Sequence, residues 1–224
     1  MSGDFEGLLG DAAALGREYR WIEAADAYEL ALRLVETGDF FSRGEVQEKI
    51  GHSLHKAAFQ AGSREEFLER LRLAMEAYQK THGFYEKLED EKRIAWMLRC
   101  SAVSRYLEHW AASDPSEKRR LLDECLELEE EALNSFWDQG EKLEYGRTYN
   151  EFSFALSIRV IREWDREAWR DATVKGVSWG KKAVEALSEL DDPHEIARAH
   201  LAYAYNLGRN TFFFEPKPEK QQQN

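Results

Sequence analysis

Apolar residues recur every three or four positions along almost the whole chain, which is the period of an amphipathic α-helix. In residues 5–18, for example, Leu8, Ala12 and Leu15 fall on one side of a helix. No run alternates apolar and polar residues between turn signals in the way that a strand requires. The pattern predicts an all-α chain whose helices lie at about 5–18, 21–36, 44–61, 64–81, 90–111, 116–138, 141–164, 167–189 and 193–209.

Local signals indicate where these helices begin and end. Ser42 is followed three residues later by Glu45, and Ser63 by Glu66, which is the spacing of a capping box at a helix N-terminus. Gly140 is expected to close the sixth helix, because glycine readily adopts the left-handed conformation found at helix C-termini. Further breaks are predicted at Gly62, at residues 113–115 (Ser-Asp-Pro) and at Gly83, after which residues 84–89 could be a turn or a continuation of the helix. Residues 191–193 (Asp-Asp-Pro) are predicted to cap the last helix.

The segment Trp21–Leu32 combines small and large residues on one face, as a helix does when its partner approaches closely. Its Trp21, Glu23-Ala24, Tyr28 and Ala31-Leu32 resemble the second helix of a tetratricopeptide (TPR) repeat. The resemblance implies a right-handed α-solenoid of about four helical hairpins plus a C-terminal helix. It also implies that the first helix of each hairpin lines a concave face that binds a protein or peptide.

A large residue followed by a small one recurs in the predicted first helices of hairpins two to four and in the last helix. The pairs are Ile50-Gly51, Ile94-Ala95, Tyr145-Gly146 and Ile196-Ala197, with spacings of 44, 51 and 51 residues. A standard TPR repeat has about 34 residues, so these hairpins are elongated. We therefore predict one TPR-like domain over residues 1–212, followed by a polar tail at 213–224 that is expected to be disordered.

The formal net charge of −12 argues against binding to nucleic acid or to an anionic membrane surface, which requires a cationic face. Cys100 and Cys125 are too few for a disulfide framework and are predicted to be buried thiols. The chain has neither a signal-peptide pattern at its N-terminus nor an apolar run of 18 residues. These features predict a cytoplasmic protein without a membrane span.

Motifs of the familiar enzyme classes are missing from the sequence, including the GxSxG nucleophile elbow and the Gly-rich phosphate loops. No histidine has a glutamate three residues before it, which the di-iron sites of helical bundles require. His52 and His55 share a helix face, but the sequence suggests no third metal ligand. We expect a non-enzymatic protein with no catalytic residues, no metal site and no cofactor.

The register of the large-small pairs brings three rows of residues onto the expected concave face. The first row is His52, Trp96, Arg147 and Arg198; the second is His55, Arg99, Asn150 and Leu201; the third is Phe59, Val103, Phe154 and Tyr205. Three arginines, Arg99, Arg147 and Arg198, are predicted to hold acidic groups of a partner through bidentate hydrogen bonds. Further hydrogen bonds are assigned to His52, His55 and Asn150, and apolar contacts to Trp96, Phe154 and Tyr205.

Other interpretations of the same residues stay open. Arg147 has helical spacing to Glu144 and Glu151, so it could pair within its own helix, and Trp96 and Phe154 could be core residues. The acidic run at 127–131 is expected to be a solvated face. A regulatory module that senses a small anionic ligand or signalling peptide is the first alternative function, and it would need an enclosed pocket. The second is a structural homo-oligomer that associates through an apolar patch at the C-terminal end, residues 205–214.

Overall fold

The structure is a computed structural model that describes residues 5–91, 93–162, 166–189 and 193–213. Within these ranges the chain is all-α, as the apolar pattern predicts, and no described helix is long and apolar enough to cross a membrane. The helices are α1 (Phe5–Arg17), α2 (Trp21–Leu32), α3 (Phe40–Ala58), α4 (Arg64–Tyr85), α5 (Arg93–Ala111), α6 (Pro115–Asp138), α7 (Lys142–Arg162), α8 (Arg166–Ser188) and α9 (Pro193–Phe213).

The chain divides into two compact units, residues 1–135 and residues 136–224. In the first unit α1, α2, α3 and α4 each pack against the helix that follows, and Arg105 of α5 forms an ion pair with Glu124 of α6 at 3.2 Å. In the second unit α7 packs against α8, and α9 packs against both. Sequential packing of helices is what the periodic pattern predicts for hairpins joined by short turns. Of the predicted tail at 213–224, only Phe213, which ends α9, lies within the described residues.

Several helix ends follow the predicted signals. The Ser63 hydroxyl accepts a hydrogen bond from the Glu66 amide at 3.1 Å, and a Glu66 carboxylate oxygen accepts one from the Gly62 amide at 2.8 Å. Asp114 caps α6 by accepting from the Glu117 amide at 2.8 Å. Gly140 follows α6 with a φ of +74°, the left-handed conformation that glycine adopts without strain.

Several predicted ends are wrong. Helix α2 ends at Leu32 instead of about residue 36, and α9 continues to Phe213 instead of ending at about residue 209. Helix α3 begins at Phe40, before Ser42, because the Asp39 carboxylate accepts the Ser42 amide at 3.0 Å and provides the cap itself. Helix α4 continues through Gly83 to Tyr85, since a single glycine weakens a helix without ending it. The predicted cap at residues 191–192 lies outside the described residues.

Close approach at glycine positions determines how the paired helices meet. In the first unit, the Tyr85 ring occupies the place that a Cβ on Gly44 would take, and a Cβ on Gly51 would lie 3.0 Å from the Tyr78 ring. In the second unit, the side chain of Leu187 fills the space beside Gly146. Tyr78, Tyr85 and Leu187 are almost fully buried, so these contacts belong to the core of each unit. Gly51 and Gly146 are small residues of the repeated large-small pair.

Substituting Gly44 with alanine is predicted to destabilise the protein by about 1 kcal/mol. The added methyl group would overlap the buried Tyr85 ring, and this overpacking costs more than the gain in helix propensity. The free energy of unfolding from urea titration provides the measurement. Gly83→Ala is the matched control: a Cβ on Gly83 would meet no atom of the described residues within 4 Å, and we expect it to stabilise α4 by about 0.5 kcal/mol. Equal effects of the two variants would show that helix packing does not require a glycine at position 44.

Candidate functional site

Histidine and aromatic side chains form a continuous set of ring contacts along α3 in the first unit. The His52 ring centroid lies 5.9 Å from that of Trp21 and 6.5 Å from that of His55. His55 is buried and packs edge-on against Tyr106 of α5, with 5.8 Å between centroids. The predicted pair His52 and His55 is therefore brought together on one face, where both rings contribute packing as well as polar atoms.

Phe59 stands at the C-terminal end of this row and is 47 % exposed. Its ring contacts those of His55, Phe67 and Trp110, with centroid distances of 5.6, 5.6 and 5.4 Å. These four residues come from the ends of α3 and α5 and the first turn of α4, and we call them the Phe59 patch. Its edge-to-face geometry holds the exposed ring on a rigid aromatic base.

Trp96 and Arg99 of α5 lie in the interior of the first unit. The Arg99 guanidinium stacks over the Trp96 ring at 4.6 Å and binds the Glu48 carboxylate at 2.7 Å. The Tyr85 hydroxyl donates to the same carboxylate at 3.2 Å, and burial raises the pKa of that phenol, with the Glu48 charge adding to the effect. Trp96 also packs against Phe41, at 5.4 Å between centroids. Arg99 is only 7 % exposed, so its charge is balanced within the protein.

The polar residues predicted in the second unit converge at the start of α9. Asn150 of α7 is buried and donates to the Glu195 carboxylate at 2.6 Å and to the Glu195 backbone carbonyl at 3.0 Å. Arg198 donates to the Asn150 carbonyl at 3.3 Å and lies within ion-pair distance of Glu195 and Glu151, at 3.2 and 3.8 Å. Asn150 and Arg198 thus form one network that ties α7 to α9.

Arg147 and Tyr205 are the more exposed of the predicted residues in the second unit. The Arg147 side chain is 42 % exposed and pairs with Glu144 at 3.2 Å, as its spacing in the sequence allows. Tyr205 is 49 % exposed on α9, and the Arg209 guanidinium stacks on its ring at 4.0 Å and donates to its hydroxyl. The side chain of Phe154 lies outside the described part of the structure.

Several residues of these clusters stand outside the predicted set, among them Phe67 and Trp110 of the Phe59 patch and the polar residues Glu48, Tyr85 and Glu195. Glu48 precedes Gly51 by three residues and therefore lies close to the predicted face, which is a signal that the sequence contains. Tyr85 lies beyond the glycine at which α4 was expected to end. Glu195 reaches Asn150 only because α9 packs against α7. The helical periodicity of either segment alone does not predict that packing.

Three deeply buried titratable groups, Cys100, Cys125 and Glu129, lie in the first unit. Burial raises the pKa values of the Cys100 and Cys125 thiols well above the ordinary range. Glu129 of α6 is 1 % exposed, and both of its carboxyl oxygens lack a hydrogen-bond partner among the described residues. Burial, with a smaller contribution from the charge of Glu130, raises the pKa of Glu129 well above its usual value. The acidic run at 127–131 is therefore not wholly solvated, since its central residue lies in the apolar stripe of α6.

Among the described residues, no group of three or more histidine, cysteine, aspartate or glutamate side chains is arranged to hold a metal ion. Comparison of the chain with protein-family models and with curated proteins finds no match.

Replacing Glu48 with glutamine is predicted to lower the free energy of unfolding by about 2–3 kcal/mol. The change leaves the charged Arg99 guanidinium buried without an opposing carboxylate. The resulting loss of stability is larger than the net stabilisation that the ion pair contributes. The double variant Glu48→Gln/Arg99→Met is expected to recover much of the loss, because both charges are then absent. Arg72→Met, which removes an exposed arginine paired with Glu69 and Glu76, is the control and should leave the urea midpoint unchanged. A double variant no more stable than Glu48→Gln would contradict this account.

Stability is predicted to fall with increasing pH because of Glu129. Its pKa is raised in the folded state, so folding favours the protonated acid; this stabilisation is complete below the unfolded value of 4.5 and is lost as the pH rises towards the folded pKa. Glutamine has nearly the same shape and stays neutral. Glu129→Gln should therefore match wild type in melting temperature near pH 4.5 and exceed it at pH 8. A constant difference between the two proteins over this range would contradict the assignment.

Proposed function

We propose that the protein is a non-enzymatic, peptide-binding adaptor built from TPR-like helical hairpins in a right-handed solenoid, and that the Phe59 patch anchors its partner. The observation that carries the proposal is the large exposed fraction of Phe59 on a base of three packed rings. An exposed Phe by itself requires no explanation, but this ring is already held in one orientation. Binding an apolar side chain there costs little conformational entropy on the protein side.

The neighbourhood of the patch suits an extended segment of a partner protein. His55 and His52 continue from Phe59 along the same helix, and the ring of His52, which is only partly buried, provides nitrogen atoms beside apolar surface. Aromatic anchors of this kind dominate the binding energy of many interfaces, while the surrounding polar residues exclude water and fix the register. We therefore assign the Phe59 patch to an aromatic or aliphatic anchor residue and His52 to a polar atom of the partner segment, while the buried His55 supports the patch from below.

Acidic groups of a partner are assigned to Arg147 and Arg198 in the second unit. Their side chains are 42 % and 31 % exposed, so each guanidinium retains surface that a ligand can reach. Each also has a carboxylate of its own protein nearby, which limits the net attraction and makes it sensitive to salt. Arg99 has no part in this assignment, because Glu48 already binds its guanidinium inside the first unit. Recognition of acidic groups is thus a secondary feature of the proposal.

The test uses a random peptide library displayed on phage, panned against the purified wild-type chain. Selected peptides are then synthesised, and their dissociation constants are measured by fluorescence anisotropy. Phe59→Ser is expected to weaken binding at least tenfold, because the anchor loses its apolar contact. Arg147→Glu is expected to weaken acidic peptides more than neutral ones, and the effect should shrink as salt is added.

Leu34→Ser is the matched control, since Leu34 is 52 % exposed in the first unit just after α2 and should leave the affinities unchanged. Thermal unfolding of each variant verifies that the fold is intact. Peptides that bind the Phe59→Ser variant as tightly as wild type would exclude the Phe59 patch as the anchor. If panning repeatedly selects no peptide, the peptide-binding proposal itself is overturned.

A further inference from the structure

The exposed residues on the outward side of α9 are uncharged in a chain in which 33 % of residues are charged, and two partly exposed arginines border them: Arg198, and Arg209, which stacks on Tyr205. From Ala197 to Gly208 the exposed residues of this helix are Ala197, His200, Leu201, Ala204, Tyr205, Leu207 and Gly208. None is aspartate, glutamate, lysine or arginine, and Leu201 is 74 % exposed. By contrast, the exposed side of α2 includes Glu23, Asp26 and Glu29. An apolar stripe of about three turns on an outer helix is characteristic of an interaction surface.

The opposite side of α9 is held firmly within the second unit. Ala199 and Asn206 are buried, and the Asn206 amide donates to the Tyr149 hydroxyl of α7 at 3.1 Å. The Tyr149 hydroxyl in turn donates to the Gly176 carbonyl of α8 at 3.3 Å. These bonds fix the rotation of α9 about its own axis, so the stripe faces away from α7 and α8.

In α3 and α7, the small residue of the repeated large-small pair is covered by a side chain of the following helix. The Tyr78 ring of α4 packs against Gly51 of α3, and the Leu187 side chain of α8 packs against Gly146 of α7. Ala197 holds the corresponding place in α9 and is exposed. Within the described residues no helix follows α9 to cover it. Helix α9 therefore presents to solvent a surface of the type that the preceding hairpins bury.

We propose that this stripe binds the same stripe of a second copy of the chain, in an antiparallel pair of α9 helices about a two-fold axis. The α9 stripe, defined as Ala197, Leu201, Ala204, Tyr205 and Gly208, alternates small and large residues. A two-fold axis midway between Leu201 and Ala204 puts Leu201 of each copy opposite Ala204 of the other and Ala197 opposite Gly208. Leu201 of each copy then meets a small residue, which lets the two backbones approach closely near the axis, while Tyr205 lies opposite His200 of the other copy. The pairing is self-complementary, as an isologous interface requires.

The absence of acidic residues from the α9 stripe also favours a second copy of the chain as its partner. Two copies of a chain with a net charge of −12 repel each other wherever acidic surfaces meet. A face without aspartate or glutamate is where such copies approach at the lowest electrostatic cost. The stripe spans about 18 Å of helix, which is short for a standard interface of about 800 Å² per partner, so we expect a weak dimer. This inference does not depend on the Phe59 patch or on peptide binding.

Analytical ultracentrifugation of the full chain over a wide concentration range, up to a few hundred micromolar, tests the proposal. Wild type is expected to approach the dimer mass at the highest concentration, while Leu201→Glu stays at the monomer mass, an approximately twofold difference. Ala204→Arg, which puts a positive instead of a negative charge on the stripe, is a second variant that should also stay at the monomer mass. Because Leu201 and Ala204 are exposed, circular dichroism should show both variants folded as wild type.

Leu30→Glu is the control, since Leu30 is 47 % exposed on α2 and its substitution should leave the dimer intact. A wild-type chain that remains monomeric at the highest concentration overturns the proposal. So does a dimer that persists unchanged in Leu201→Glu and Ala204→Arg. If wild type is monomeric and removal of residues 214–224 creates a dimer that Leu201→Glu abolishes, the C-terminal segment occupies the stripe in place of a second copy, and the proposal is likewise overturned.

Discussion

The structure depends on close approach between helices at residues that have no side chain. Tyr85 and Tyr78 occupy the space beside Gly44 and Gly51 in the first unit, and Leu187 does the same beside Gly146 in the second. A shift of either helix by one residue would drive a large side chain into backbone, so each contact permits one register only. The polar contacts between helices require that register, because Glu48 reaches Arg99, and Asn150 reaches Glu195, only when helices distant in sequence keep these relative positions.

The ends of the helices could be predicted from the sequence where the cap is local. Ser63, Asp114 and Gly140 act through bonds or dihedral angles within a few residues of themselves, and each fulfils its expected role. Competition between caps is harder to predict, since Asp39 and Ser42 are both good candidates and only the geometry decides between them. The continuation of α4 through Gly83 also depends on tertiary packing, because burial of Tyr85 against Gly44 stabilises the last turn.

The candidate site was predictable as a set of residues on shared faces but not as a set of exposed groups. Helical spacing makes His52 and His55 neighbours on α3, and Trp96 and Arg99 neighbours on α5, and the side chains of each pair are in contact. It does not show that Glu48 lies opposite Arg99, and this single contact turns a potential ligand-binding arginine into a part of the core. Glu129 is a second example: the four glutamates of residues 127–131, interrupted only by Leu128, suggest a solvated face, but the helical angle turns Glu129 inward.

Both thiols of the chain lie in the first unit, at Cys100 and Cys125, and the second unit has none. Their burial and raised pKa values leave almost no accessible thiolate in the folded state, so an alkylating reagent reacts only during opening of the first unit. The rate at which the thiols are lost therefore measures how often the first unit opens, and the measurement requires no label on the protein. The reagent does not react with α7, α8 or α9, because these helices contain no cysteine. A change in the rate of thiol loss caused by a substitution in those helices would therefore measure the energetic coupling between the two units.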